Sequence, residues 1–105
     1  MTAALAAVAA AATTYVDDLA EFVRVPSVST VPDHRPDIDA AADWVAARLG
    51  RAGVADVRVL PTKGHPVVVG RLHHDPALRT VIVYGHYDVQ PPEPLELWDS
   101  PPFEP

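Results

Sequence analysis

Cysteine is absent from the chain, and that absence removes disulfides, thiolate metal ligands and a cysteine nucleophile together. It accords with a reducing compartment, so a cytoplasmic location is the expectation. Basic residues are scarce: 8 Lys and Arg stand against 14 Asp and Glu, giving a formal charge of −6. That balance argues against a nucleic-acid partner, because phosphate binding needs clustered Lys and Arg. Long apolar runs are lacking as well. Residues 1–14 are Ala-rich, with no Lys or Arg before Arg24, whereas a secretory signal carries a basic segment ahead of its apolar stretch. A run dominated by Ala is only weakly apolar and too short for a membrane span. Residues 1–14 therefore read as a helical or frayed extension, with no membrane as partner. What remains is an ordinary composition, 49% apolar and 21% charged, with room for one small domain.

Proline, in contrast, is abundant and punctuates the pattern. Thr13 and Thr14 are placed to cap a helix entered at Tyr15, with Asp17 and Asp18 in its first turn, although the Ala run lets the helix begin earlier. Val16, Leu19, Phe22 and Val23 form its apolar face, and Pro26 ends it. Ser27 and Ser29 follow in a loop, where hydrogen bonding rather than nucleophilic chemistry is the expectation. A second helix opens at Pro36 or Asp37. Ile38, Ala41, Val45, Leu49 and Ala52 share its face, Trp44 lies off that stripe, and Gly53 is a C-terminal stop. Gly50 inside it costs about 1 kcal/mol relative to Ala, so the helix depends on packing. Residues 54–60 and 67–72 read as two strands of an antiparallel hairpin joined by a short turn. His34, His65, His73 and His74 fall in or beside turns and read as surface residues.

Residues 79–84 carry the apolar run Val81-Ile82-Val83, the signature of a strand buried on both faces. The run breaks at Gly85, and the next polar side chains are His86 and Asp88. In an extended segment, residues two apart point the same way, so an imidazole and a carboxylate leave the strand end together. Open α/β sheets bind ligands outside the carboxyl ends of their strands, and a His held by a carboxylate is the usual arrangement around a metal. His86 is thus the candidate metal ligand and Asp88 its support. Catalytic zinc usually takes three protein ligands, and this chain offers one credible ligand. A strand of this kind also belongs inside a sheet, yet nothing after Pro91 reads as a partner for it. The expectation is the N-terminal part of a larger α/β domain.

The segment Tyr84-Gly85-His86-Tyr87-Asp88-Val89-Gln90-Pro91, followed by Pro94-Leu95-Glu96-Leu97-Trp98 and Pro101-Pro102-Phe103-Glu104-Pro105, resembles the dinuclear zinc metallopeptidases of the carnosinase, cytosolic dipeptidase and acetylornithine deacetylase type. The Gln-Pro after the His-x-Asp, with the following Trp and Pro-Phe, resembles the dipeptidase branch in particular. Val25-Pro26-Ser27-Val28-Ser29 is also similar to that family's first helix-to-loop junction. The resemblance implies a three-layer α/β/α catalytic domain, with residues 15–105 as its N-terminal portion and the lid and dimerisation domain absent. It assigns His86 to a metal and Asp88 to catalysis as the group that orients that imidazole. It also implies two divalent ions, zinc foremost with manganese or cobalt as alternatives, whose remaining ligands lie outside this chain. The implied substrate is a small dipeptide, and the implied full-length assembly is a homodimer. On this reading the 105 residues alone are inactive. Two other readings are an N-acyl amino acid deacylase of the same family and a non-catalytic α/β binding module that has lost the metal.

Overall fold

In chain order the protein forms helices α1 (Thr2–Ala10), α2 (Ala12–Val23) and α3 (Arg35–Arg51), then strands β1 (Ala55–Leu60) and β2 (Val67–Arg71), with short 3-10 turns at Pro32–His34 and Leu95–Leu97. This computed structural model describes residues 2–73 and 75–105; His74, read above as a turn residue, lies outside the described residues. The fold is α/β, and it divides into two units: Pro26–Pro91, and Met1–Val25 with Pro92–Pro105.

The unit Pro26–Pro91 holds the core. Its long helix begins one residue before Pro36, which sits in the first turn where a missing N–H costs nothing. Asp37 in the first turn and Arg48 and Arg51 in the last complement the helix dipole. The end is built as the sequence implies. Gly53 takes the left-handed conformation at φ 85°, its N–H donates to Gly50 O, and the Val54 N–H donates to Leu49 O, both at 3.0 Å. That pair of bonds is a Schellman stop. Ile38, Ala41 and Ala42 are fully buried, and with Val28 they are the buried apolar residues among those described. Val45, Leu49 and Trp44 are half-buried, and Ala52 is exposed. The expected stripe is therefore correct at its N-terminal half, and it shifts to include Ala42.

Against α3 lies the hairpin. Its strands pair antiparallel with Arg58 opposite Val69, Val59 opposite Val68 and Leu60 opposite Val67. Between Ala55 and Arg58 the register slips, and Asp56 within that slip has φ 52°, the left-handed backbone of G1-type bulges. The bulge breaks the simple alternation expected for β1: Val57 is half-buried but Val59 is exposed.

One sequence expectation fails here. Residues 79–84 join no ladder, and Val81, Ile82, Val83 and Tyr84 are 80–93% exposed. Strand propensity expresses the fit of a side chain to a pleated, half-buried surface, so it produces a strand only where a partner and cover exist. The sheet is two-stranded among the described residues, and neither strand pairs with this run.

In the other unit the Ala-rich stretch is helical. α2 starts at Ala12 behind Ala11, which provides no side-chain cap, so Thr13 and Thr14 lie inside the helix and Asp17 and Asp18 fall beyond its first turn. High Ala propensity outweighs the capping preference of threonine here. α1 and α2 meet at a 58° bend where Ala11 leaves helical geometry at φ −96°, ψ 4°. Neither helix buries a residue. No single described helix is long and apolar enough to cross a membrane, although the bent pair together passes on length and composition. Further along this unit, the Trp98 indole N–H donates to Pro92 O at 2.8 Å, which leaves its ring half exposed.

Candidate metal-ligand site

Two stretches far apart in sequence build the site, and backbone bonds lay them side by side. Val28 and Val89 form an isolated parallel bridge, in which the Val89 N–H donates to Ser27 O at 3.0 Å. The Ser27 hydroxyl donates to Tyr87 O, also at 3.0 Å. Ser27 and Val28 are both buried, so this junction is anchored in the core. A buried hydroxyl needs such a partner, since leaving it unpaired costs about 1–3 kcal/mol. The opposite side of the arm formed by residues 86–89 is tied to the hairpin turn: the Tyr87 hydroxyl donates to Pro66 O. Burial raises the Tyr87 pKa above its ordinary value, the negative charges of Asp39 and Asp88 add to the rise, and Arg35 opposes it.

With Tyr87 held inward, His86 and Asp88 project together. His86 Nδ1 lies 3.0 Å from the Asp88 backbone carbonyl and 3.2 Å from Asp88 Oδ1. Both of these groups only accept, so Nδ1 carries a proton, and in the neutral ring the lone pair then lies on Nε2. The His86 side chain is 74% exposed, which leaves that lone pair open to a ligand. The other carboxylate oxygen, Asp88 Oδ2, accepts from the Ser29 hydroxyl at 2.6 Å. That bond is the leading cause holding the Asp88 carboxyl below the usual range; partial desolvation opposes it, and the residue's own N–H and His86 add to the lowering.

Two of the remaining histidines take different places from those expected, whereas His73 is exposed as expected. His65 is half-buried, not a surface turn residue. Its Nε2 donates to Ser29 O at 3.0 Å, because the turn over residues 61–66 folds back on the serine loop. His34 is half-buried too, with Nδ1 2.6 Å from Asp37 Oδ2 at the start of α3, a contact that an N-terminal helix turn favours for an acidic residue. Sequence reasoning treats Ser29 as an ordinary loop serine. Its bond to Asp88 spans 59 positions, and no local spacing signals such a contact.

The chemistry of His86 fits one ligand of a divalent metal: a neutral imidazole, oriented through its other nitrogen and open at the donor atom. Among the described residues no group of three or more His, Cys, Asp or Glu could hold an ion. What the arrangement offers is one candidate donor, His86, with Asp88 placed to orient it.

No family model matches the chain. Its relatives are nonetheless specific. It is 35% identical over 101 residues to the Cys-Gly metallodipeptidase DUG1 of Candida albicans, covering 85% of this chain and 21% of that protein. The DUG1 enzyme of Saccharomyces cerevisiae is 30% identical over 98 residues, with 82% and 20% covered. A cysteinylglycine-S-conjugate dipeptidase of Corynebacterium striatum is 28% identical over 87 residues, with 83% and 19% covered. Among solved structures, the di-peptidase Dug1p of Saccharomyces cerevisiae superposes with a TM-score of 0.83 at 28% identity, over 92% of this chain and 22% of that one. The chain spans about a fifth of the length of the curated relatives it matches. Over the stretch it spans, it belongs to the metallodipeptidase family.

Proposed function

We propose that the whole protein of which these residues form a part is a metal-dependent dipeptide hydrolase, with His86 as one ligand of a two-ion centre. The observation that carries this reading is the His86–Asp88 pair, with Nδ1 committed to Asp88 and Nε2 exposed. Cys-Gly, the substrate named for the relatives, is the first dipeptide to test. Zinc is the proposed metal, with manganese or cobalt as alternatives. Bound ions of this kind polarise the scissile carbonyl and make a nucleophile available from water at neutral pH.

Within this chain the labour is orientation. Asp88 accepts a hydrogen bond from Nδ1–H, fixes the ring plane and leaves Nε2 as the donor atom. Tyr87 and Ser27 hold the arm against the core, so that His86 presents its donor from a fixed backbone. Alone, the 105 residues are proposed to be inactive, because the ligands they offer do not close a site. A cytoplasmic location and a homodimer of the full-length protein complete the proposal.

The test is Cys-Gly hydrolysis by the whole polypeptide with zinc or manganese, alongside its His86→Gln variant. Metal-stimulated turnover that the substitution abolishes, together with lower metal content, is the expected result. Full activity and metal content in the variant would refute the assignment of His86, and absence of dipeptide hydrolysis by the wild type would refute the activity.

A further inference from the structure

Resting on the metal-ligand reading of His86, we propose that Ser29 is a positioning residue for that ligand: its hydroxyl fixes the Asp88 carboxylate, which holds the His86 ring with Nδ1 protonated and Nε2 outward. The geometry divides the carboxylate cleanly. Oδ2 accepts from Ser29 at 2.6 Å, and Oδ1 faces His86 Nδ1 at 3.2 Å. A carboxylate with one oxygen so engaged cannot rotate about its Cβ–Cγ bond without losing that hydrogen bond, so the second oxygen stays beneath the imidazole.

Asp88 needs such an anchor. Its side chain is 41% exposed and that of His86 is 74% exposed, so packing alone does not set either rotamer. Ser29, in contrast, sits on backbone that is pinned twice. The neighbouring Ser27 carbonyl takes the Val89 N–H, and the carbonyl of Ser29 itself takes His65 Nε2–H. A hydrogen-bonded path therefore runs from the hairpin turn through His65, Ser29 and Asp88 to His86. Its last bond biases the tautomer. The Asp88 backbone carbonyl at 3.0 Å also accepts from Nδ1, but the carboxylate is the charged and therefore stronger acceptor. Without the Ser29 bond the carboxylate is free to turn toward water, which weakens the preference for Nδ1–H.

The experiment reads the ring directly. The full chain is labelled with 15N-histidine and studied metal-free by long-range proton–nitrogen correlation at a pH where the imidazoles are neutral, and His86→Gln assigns the His86 signals. The expected wild-type spectrum shows the Nδ1–H tautomer. Ser29→Ala should shift the population toward Nε2–H, and Ser29→Thr, which keeps a hydroxyl, should restore it. In the whole polypeptide, Ser29→Ala should weaken zinc binding about 10–100-fold, again with rescue by threonine. Should Ser29→Ala fail to fold by circular dichroism, Ser29→Cys, close in volume and a poor donor, takes its place. A wild-type tautomer in a folded Ser29 variant overturns the proposal while leaving His86 a ligand. If the tautomer responds to Ser29 but His86→Gln binds zinc as well as the wild type, the metal-ligand reading falls, and the role of Ser29 toward that ligand falls with it.

Discussion

Adding a single methyl group at Gly70 should loosen the hairpin that carries the His65 and Pro66 contacts. Gly70 lies in β2, and a Cβ built there meets Val54 Cγ1 at 2.6 Å and Val57 Cγ2 at 3.3 Å. Carbon pairs rest about 3.5–4.0 Å apart, so the first contact is short by about 1 Å. Val54 cannot yield easily, because a β-branched side chain has few staggered positions to move into. Overpacking of this kind costs about 1–3 kcal/mol. Replacing a strand glycine by alanine returns about 0.5–1 kcal/mol of backbone entropy. The net for Gly70→Ala is a loss of up to about 2.5 kcal/mol, centred near 1 kcal/mol. Urea unfolding should show a lower midpoint at unchanged slope. The double variant Val54→Ala/Gly70→Ala should lose less than the sum of the two single changes, since the clash is removed. A Gly70→Ala midpoint at or above the wild type would refute this account of the hairpin packing.

Gly50 should behave oppositely: it sits inside α3, and nothing lies within 4 Å of the place an alanine methyl would occupy there. Gly50→Ala should therefore raise stability by about 0.4–1 kcal/mol in the same urea experiment. Tyr87→Phe removes the bond to Pro66 O and should cost about 0.5–1.5 kcal/mol. Because the Tyr87 pKa is raised in the fold above 10.0, its contribution is fully present below that value and is lost as pH rises through the higher native one. Stability of the wild type should therefore fall more steeply in alkali than that of Tyr87→Phe, and parallel curves would contradict this. At the acid end the sign reverses: the Asp88 pKa is depressed from 3.8, so its contribution is present above 3.8 and is lost as pH falls through the lower native value. Ser29→Ala should flatten that acid dependence in pH-resolved urea titrations. His86→Gln should change stability by no more than about 0.5 kcal/mol, as expected for an exposed side chain, and a larger loss would show that the ring has a structural role.

The long helix and the hairpin are legible in the sequence because their signals are local. Pro36, the Ile38–Ala41 spacing and the Gly53 stop all act within a few residues, and so does the short connection between β1 and β2. The His86–Asp88 pair is legible for the same reason, since two positions in an extended segment share a side. The state of residues 79–84 is not, because a strand exists only as a pair and its partner is not encoded in its own alternation. Likewise, the half-buried place of His65 depends on a turn folding back 36 positions to Ser29. The bulge at Asp56 also escapes periodicity, because the only mark of its positive φ is the weak enrichment of Asp in that conformation.

The division between local and distant contacts explains why the segment of residues 86–89 has a definite form although the apolar run before it finds no ladder. From Val81 to Tyr84 the chain is almost fully exposed, so nothing upstream dictates where His86 points. Downstream, the arm is tied by Val89 to Ser27, by Tyr87 to both Ser27 and Pro66, and by Asp88 to Ser29. Each such bond contributes only about 0.5–1.5 kcal/mol, but they reach the arm from two elements, the serine loop and the hairpin turn, and they fix successive residues. The direction of the imidazole is thus set from its C-terminal side. A change that orders or disorders residues 79–84 should leave the His86–Asp88 geometry standing, whereas a change at Ser27, Ser29 or Tyr87 should disturb it.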